Sequence, residues 1–136
     1  MPAFKRDYYI QERNMRGMFF VVILIVSSML SGCGNDQDKI VTNYCKALEA
    51  GKFDDAVSYL SKSARQELEK AGGKSLLASA ADVFKQRKGI KKITISKRDV
   101  KGDTAMIMFV YNFKDGTTSS DFFPLVKEDG KWKISR

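Results

Sequence analysis

Two cysteines and no histidine limit the chemistry that this chain of 136 residues can carry out. Without histidine there is no His-based catalytic triad and no His-ligated metal site, and the commonest general base at neutral pH is missing. The sequence also lacks a phosphate-binding loop and a nucleophile elbow. It therefore predicts no metal site and no cofactor. The chemistry that remains to be placed concerns the two thiols, Cys33 and Cys45.

Cys45 is predicted to be a small core residue. Ile40, Val41, Tyr44 and Leu48 are spaced so that they share one helical stripe with it. A free cysteine in apolar surroundings behaves as a small apolar residue. A reactive or intermolecular thiol remains the alternative.

Cys33 follows the one long apolar run, Met18 to Leu30. Arg13 and Arg16 precede the run and small residues end it, which is the order of a secretory signal. The alternative is an uncleaved transmembrane helix, which needs about 30 Å of apolar length. About 13 residues at 1.5 Å each reach only about 20 Å. The run therefore predicts a cleaved signal.

Residues 30–33, Leu-Ser-Gly-Cys, resemble the lipobox of bacterial lipoproteins. In that family the cysteine thiol receives a diacylglycerol and the leader is cut just before it. The resemblance implies a signal peptide at 1–32, lipidation of Cys33, and a membrane-anchored protein facing the periplasm or the exterior. Two or more acyl chains anchor a protein stably, whereas one binds reversibly. Gly34 stands where Asp commonly retains such proteins in the inner membrane, so the outer membrane is favoured where a cell has two.

The rest of the chain is predicted to be a polar tether at 33–38 and one domain at 39–136. Apolar residues first recur at helical spacing and then alternate, which indicates four helices followed by four strands. The predicted helices are 39–50, 53–60, one capped by Ser61 or Ser63 and broken at Gly72-Gly73, and 74–88. The predicted strands are 93–100, 104–113, 117–126 and 131–135.

This order of elements predicts an α+β fold, with N-terminal helices packed on a four-stranded antiparallel sheet. The strand at 104–113 is apolar on both faces in its middle, so it is expected to be central and covered on both sides. On one of these faces, Met106 and Met108 are interpreted as core residues. The alternatives are the lining of a ligand cavity and a surface that a partner covers.

Residues 44–48, 51–56 and 125–134 are similar to segments of NTF2-like (cystatin-like) domains of small bacterial lipoproteins, and most closely to a DUF4878-type group. The resemblance spans most of 39–136 and implies a curved sheet that forms a cone with the helices. Some members are isomerases or dehydratases that place an Asp or His in the cone pocket. The matching candidates here are Asp82, Asp99, Asp103 and Asp121, with Tyr44, Tyr59 or Tyr111 as donors.

The simpler interpretation is that these four aspartates are exposed to solvent and have no catalytic role. Asp99 and Asp103 flank a turn, Asp121 lies in a polar stretch, and Asp82 stands beside the apolar stripe of the fourth helix. We therefore expect a non-catalytic binding or scaffolding domain. The alternative is a pocket enzyme of the isomerase or dehydratase kind that acts on a small apolar ligand.

The chain carries a formal net charge of +8, and one stretch is densely basic. Its basic residues are Lys85, Arg87, Lys88, Lys91, Lys92, Lys97, Arg98 and Lys101. The functional interpretation is contact with anionic lipid head groups or envelope polymers, because basic residues near an anionic surface bind it. A solvated helix end and strand face is the simpler account. Nucleic acid is not expected, since no aromatic residues interleave these charges, and a homodimer across the outer sheet face stays open.

Overall fold

The computed structural model describes residues 35–135, which contain four helices followed by four strands. This is the α+β order that the sequence predicts. The helices are α1 (Asp36–Glu49), α2 (Phe53–Ser58), α3 (Lys62–Lys70) and α4 (Lys74–Gln86). The strands are β1 (Ile90–Lys101), β2 (Thr104–Phe113), β3 (Thr118–Glu128) and β4 (Lys131–Ile134).

The first helix begins three residues earlier than predicted. Asp36 and Asp38 lie in its first turn, where the helix dipole favours negative charge. The backbone N–H groups of Asp38 and Lys39 donate to the carbonyl of Asn35, at 3.0 and 3.3 Å. The predicted tether at 33–38 is therefore too long, since residues 36–38 are helical. Cys33 and the predicted signal peptide at 1–32 lie outside the described residues.

The four strands form an antiparallel sheet in the order β1-β2-β3-β4. Two register shifts interrupt the pairing of β1 with β2, between Ile90 and Lys92 and between Ile95 and Lys97. Irregularities of this kind bend a strand and increase its twist. They are consistent with a sheet that curves around the helices.

Alternation along β2 decides which side of the sheet faces the core. Every odd-numbered residue from Ala105 to Phe113 is buried and belongs to one cluster with the buried residues of the helices. The sequence alternation places these residues together on one face of the strand, and the structure shows that this is the face that packs on the helices. We call the opposite side of the sheet the outer face.

The expectation that β2 is covered on both sides is wrong. On the outer face Met106 and Met108 are 37% and 43% exposed, and Phe122, which pairs with Met108 across the sheet, is 55% exposed. The buried residues of the helices pack into the single cluster on the inner side. One layer of amphipathic helices can cover only one face of a sheet.

The last strand covers only part of its neighbour. β4 pairs with β3 from Leu125 to Glu128, and the N–H of Ser135 donates to the carbonyl of Pro124 at 2.8 Å. The carbonyl of Pro124 points toward β4, and so does its nitrogen, which has no N–H to donate. Because β4 ends at Ile134, this position does not interrupt a ladder bond. Residues 118–123 therefore leave one edge of β3 unpaired within the described chain.

Candidate functional site

Aromatic side chains fill the interior of the cone. Phe84, Phe109 and Trp132 are buried members of the core. The ring centroid of Tyr111 lies 5.0 Å from that of Phe109 and 5.3 Å from that of Phe84. Such edge-on and tilted contacts add stability beyond the area they bury. These aromatic side chains therefore form the centre of the core between the helices and the sheet.

Cys45 lies fully buried in this core, and its Sγ is 3.4 Å from the hydroxyl of Tyr111. Burial raises the pKa of Cys45 to about 12, and the nearby charge of Asp121 adds to the effect. Burial also raises the pKa of Tyr111 far above its ordinary value. Both groups therefore stay protonated at neutral pH, and the expected core role of Cys45 is confirmed.

Beside the filled core lies an open groove with a cavity volume of about 780 Å³. It runs between α3, α4 and the unpaired edge of β3. Apolar side chains dominate its lining, and the polar ones are Tyr44, Ser79 and Ser135. The full lining is Tyr44, Leu60, Ala64, Leu68, Ala71, Leu76, Leu77, Ser79, Ala80, Val83, Phe122, Phe123, Pro124, Ile134 and Ser135.

Part of the apolar stripe of α4 belongs to this groove instead of the core. The sequence predicts Leu76 and Val83 as buried, but they are 46% and 47% exposed. Leu77, Ala81 and Phe84 are the buried residues of the helix. The stripe is wider than the core it covers, so its outer half forms a wall of the groove.

None of the four candidate aspartates lines the groove. Asp82 is exposed and pairs with Lys85 at 3.6 Å, and Asp99 pairs with Lys101 at 3.8 Å. Asp103 lies in the turn between β1 and β2. Among the candidate donors, Tyr59 lies in a separate hollow beside Trp132.

Asp121 is the candidate acid that the fold brings close to the tyrosines. It pairs with Phe109 across the sheet and so lies on the inner side, where its charge raises the pKa values of Cys45 and Tyr111. Its side chain is exposed, and its Oδ1 accepts a hydrogen bond from the N–H of Phe122 at 2.8 Å. Tyr44 lines the groove nearby with its ring 5.4 Å from that of Phe123.

The basic stretch is divided among several places in the fold. Lys85, Arg87 and Lys88 lie at the end of α4, where the guanidinium of Arg87 stands 4.8 Å above the ring of Phe113. Lys91 is at the first irregularity of β1. Arg98 faces the helices and makes a bidentate ion pair with Asp38, in which its Nε donates to Oδ1 at 2.8 Å.

Lys92, Lys97 and Lys101 lie on the outer face, since they pair with Asn112, Met108 and Thr104 of β2. The register of β4 places two more lysines on the outer face. They are Lys131, which pairs with Glu128, and Lys133, which pairs with Val126. The sequence prediction missed these two because they lie about 30 residues further along the chain. The alternating Lys-Trp-Lys-Ile pattern of β4, with its apolar residues inward, was the available signal.

Within residues 35–135 no three side chains are grouped as metal ligands would be. Over the same residues, none of the helices has the length and apolar character needed to cross a bilayer.

Several solved structures resemble this chain. A Campylobacter jejuni crystal structure, described provisionally as an NTF2-like transpeptidase, is 24% identical with a TM-score of 0.66, covering 76% of this chain and 99% of that one. A crystal structure from Streptomyces avermitilis, described provisionally as an NTF2-like dehydratase, is a weaker match, with 17% identity and a TM-score of 0.44; the match covers 74% of this chain and 89% of that one. An NTF2-like protein of unknown function from Cytophaga hutchinsonii has 16% identity and a TM-score of 0.40; that match covers 74% of this chain and 87% of the other. The Campylobacter likeness shows the fold alone.

No curated protein matches the sequence. The family model described as a domain of unknown function, DUF4878, matches residues 31–135. That match covers more than half of the chain and every described element, and the fold around it is NTF2-like. The protein therefore belongs to the DUF4878 family.

Proposed function

We propose that this protein is a lipid-anchored protein of the cell envelope whose domain binds an uncharged apolar ligand in the groove, without catalysing a reaction on it. The groove is the observation that carries the binding role. Its volume lies in the range of small-molecule sites, which are mostly apolar with a few polar groups that set orientation.

The polar groups of the groove suit binding better than proton transfer. Its hydroxyls come from Tyr44, Ser79 and Ser135. Burial raises the pKa of Tyr44 to about 12, so this phenol stays neutral and can donate or accept a hydrogen bond. No Asp, Glu, Lys or Arg lines the groove among the described residues. An uncharged ligand is therefore favoured, since an unpaired charge would be costly to bury there.

The anchor is supported by the Leu-Ser-Gly-Cys motif at 30–33 and the short apolar run before it. Only two residues separate Cys33 from the first helical residue, Asp36. Three extended residue steps reach at most about 11 Å. An acylated Cys33 would therefore hold the start of α1 next to the lipid surface.

Photolabelling tests the binding role of the groove. The purified chain is held in nanodiscs of neutral lipid and irradiated with an iodophenyl diazirine, a small uncharged apolar photolabel. We expect saturable labelling of peptides from α4 and from β3 around Phe122, competed by an excess of the non-photoreactive analogue. Mass spectrometry of the digest locates the label.

A matched pair of substitutions makes this test specific. Val83 and Val100 are both 47% exposed, but only Val83 lines the groove. Val83→Lys places a charge in the apolar lining and should lower the saturable labelling severalfold, whereas Val100→Lys should leave it unchanged. Equal labelling of the two variants would rule out the groove as the binding site.

The alternative function is a pocket enzyme that acts on a small apolar ligand. Asp121 is the observation in its favour, because it lies on the inner side of the sheet and its charge reaches Tyr111. The two functions differ in whether Asp121 contacts the bound molecule. Labelling of groove peptides that excludes Asp121 would favour simple binding.

A further inference from the structure

We propose that the outer face of the sheet binds an anionic bilayer surface, so that the domain lies against the membrane by its sheet. This inference rests on the proposed function, because it needs a domain held at a membrane. It differs from the sequence prediction in the residues involved, since these come from all four strands and not from one basic stretch.

The centre of the outer face is apolar. Met106, Met108 and Phe122 are its most exposed large apolar side chains. Met108 pairs directly with Phe122, and Met106 pairs with Pro124 in the next outward row. Strands lie about 4.8 Å apart, so these four side chains form one continuous patch. Contiguous exposed apolar surface of this kind typically marks a contact with a partner or a membrane.

Lysines flank this patch on two sides. Lys92, Lys97 and Lys101 of β1 stand along one edge, and Lys131 of β4 lies opposite Glu128, two outward rows past Pro124 along the sheet. Lys97 directly neighbours Met108 in the same row. Within residues 35–135, the side chains of Lys92, Lys97 and Lys131 make no ion pair, so their charges are available to an external anion. We call Lys92, Lys97, Lys101 and Lys131 the outer-face lysines.

The two acidic residues of this face, Asp99 and Glu128, already have partners within the domain. Asp99 pairs with Lys101, and both carboxylate oxygens of Glu128 accept from the backbone N–H of Lys62, at 3.1 and 3.3 Å. Lys133 starts on the same face, but its Nζ donates to the carbonyl of Ser58. The face therefore presents an apolar centre with a net positive rim.

An anionic bilayer matches both properties of this face. Its phosphates pair with the lysines, while its interfacial region accepts the methionine and phenylalanine side chains. A charged polymer would match the lysines but leave the apolar centre uncovered. A second copy would cover the apolar centre but bring two positive rims together, and like charges across an interface oppose association.

The entry point of the proposed anchor agrees with this orientation. Asp36, at the start of α1, lines a hollow together with Lys131 and Lys133. The chain therefore enters the domain close to one of the outer-face lysines. An acyl group on Cys33 would bring this side of the domain to the bilayer without a long tether.

Site-specific fluorescence in vesicles tests the proposal. Met108→Cys and Leu76→Cys place a thiol at positions of similar exposure, 43% and 46%, on the outer face and in the groove respectively. Each full chain, as isolated from cells, is labelled with a nitrobenzoxadiazole dye and placed in vesicles that carry a nitroxide on the lipid near the head group. With phosphatidylglycerol present, we expect quenching and a blue shift at position 108 and much weaker changes at position 76.

A triple substitution with a charge-matched control supplies the second arm. Lys92→Gln, Lys97→Gln and Lys131→Gln together should lower the ratio of docked to undocked faces by about fivefold per lysine removed. Lys46→Gln, Lys52→Gln and Lys70→Gln remove the same charge from exposed positions elsewhere and should leave the quenching at 108 unchanged. Circular dichroism checks that both variants keep the native fold.

Two results would overturn the proposal. Equal quenching at positions 76 and 108 would show that the domain does not present its sheet to the lipid. A blue shift at 108 that appears in pure phosphatidylcholine, grows with protein density and shows no nitroxide quenching would instead identify a second copy on this face. Failure of the anchor is seen separately, because an unacylated Cys33 would itself take up the dye, whereas buried Cys45 would not.

Discussion

At the scale of single residues, the core holds three weak acids in their neutral forms. Cys45 and Tyr111 face each other at 3.4 Å inside the cone, and Tyr44 is next to Cys45 in the chain. Burial is the largest cause of the raised pKa in each case. None of the three is poised as a nucleophile or base at neutral pH, since the charged form of each is disfavoured by its surroundings.

This predicts a loss of stability in alkali. The ordinary pKa values are 9.0 for Cys45 and 10.0 for Tyr44, and both are raised to about 12 in the fold. The unfolded chain therefore releases these protons at a lower pH than the folded chain. The stabilisation is complete below about pH 9 and falls as pH rises toward 12, by up to about 1.4 kcal/mol per pH unit for each group.

Urea unfolding from about pH 8 to about pH 11 measures this effect. Lysines also titrate near the upper limit, so Tyr44→Phe is the control that isolates one contribution. The variant should lose stability less steeply than the parent above about pH 10. Parallel curves for the two proteins would contradict the assignment.

At the scale of elements, the start of α3 is fixed by its contact with β4. The N–H of Ser61 donates to the carbonyl of Ile134, and the N–H of Ile134 donates to that of Tyr59, both at 2.8 Å. The fully buried Ser61 side chain then accepts from the N–H of Ala64 at 3.1 Å. Of the two serines that the sequence offers as caps, the sheet thus selects Ser61.

Ser61→Ala should therefore destabilise the domain by about 1–2 kcal/mol, because it removes the cap and leaves the N–H of Ala64 without its acceptor. Ser63→Ala is the matched control. It removes the hydroxyl that lies 3.1 Å from Ser61 Oγ, but it leaves the bond from the N–H of Ala64 to Ser61 in place, so it should cost clearly less, about 0.5 kcal/mol. Thermal or urea unfolding of both variants gives the comparison. Similar losses for the two serines would show that the cap is not decisive.

At the scale of the whole molecule, two apolar surfaces remain uncovered within residues 35–135, the groove and the outer face, and they meet at Phe122 and Pro124. Leu76 and Val83 belong to the first, and Met106 and Met108 to the second. Neither is needed to complete the core. We assign ligand binding to the groove and membrane contact to the outer face, which are separable by the substitutions described above.

The substitution Cys33→Ser tests whether the protein is anchored in the membrane through this cysteine. We expect the native protein to fractionate with membranes and to show an intact mass that begins at an acylated Cys33, and we expect the variant to lose both properties. Mass spectrometry and membrane fractionation of the two proteins side by side give the result. A native protein that is soluble, unmodified and still carries residues 15–32 would overturn the anchor.

Much of the fold was predictable because it depends on local patterns. The alternation from Ala105 to Phe113 placed these residues on one face of β2, and helical spacing around Cys45 identified a core stripe. The start of α1 was misplaced because Asp36 and Asp38 are polar and carry no apolar period. The candidate site was less accessible, since Asp121 was one of four equivalent aspartates until the register of β3 placed it opposite Phe109.

The sequence by itself determined the order of the elements, which residues share a face of each strand, the family and the expectation of a lipidated cysteine, because each depends on residues close together in the chain. Only the tertiary structure decided that half of the α4 stripe lines an open groove and that Met108 lies uncovered. It also paired Arg98 with Asp38 and brought Lys131 to the same face as Lys97. These outcomes depend on strand register and on how far one layer of helices extends over a sheet, which are contacts between distant parts of the chain.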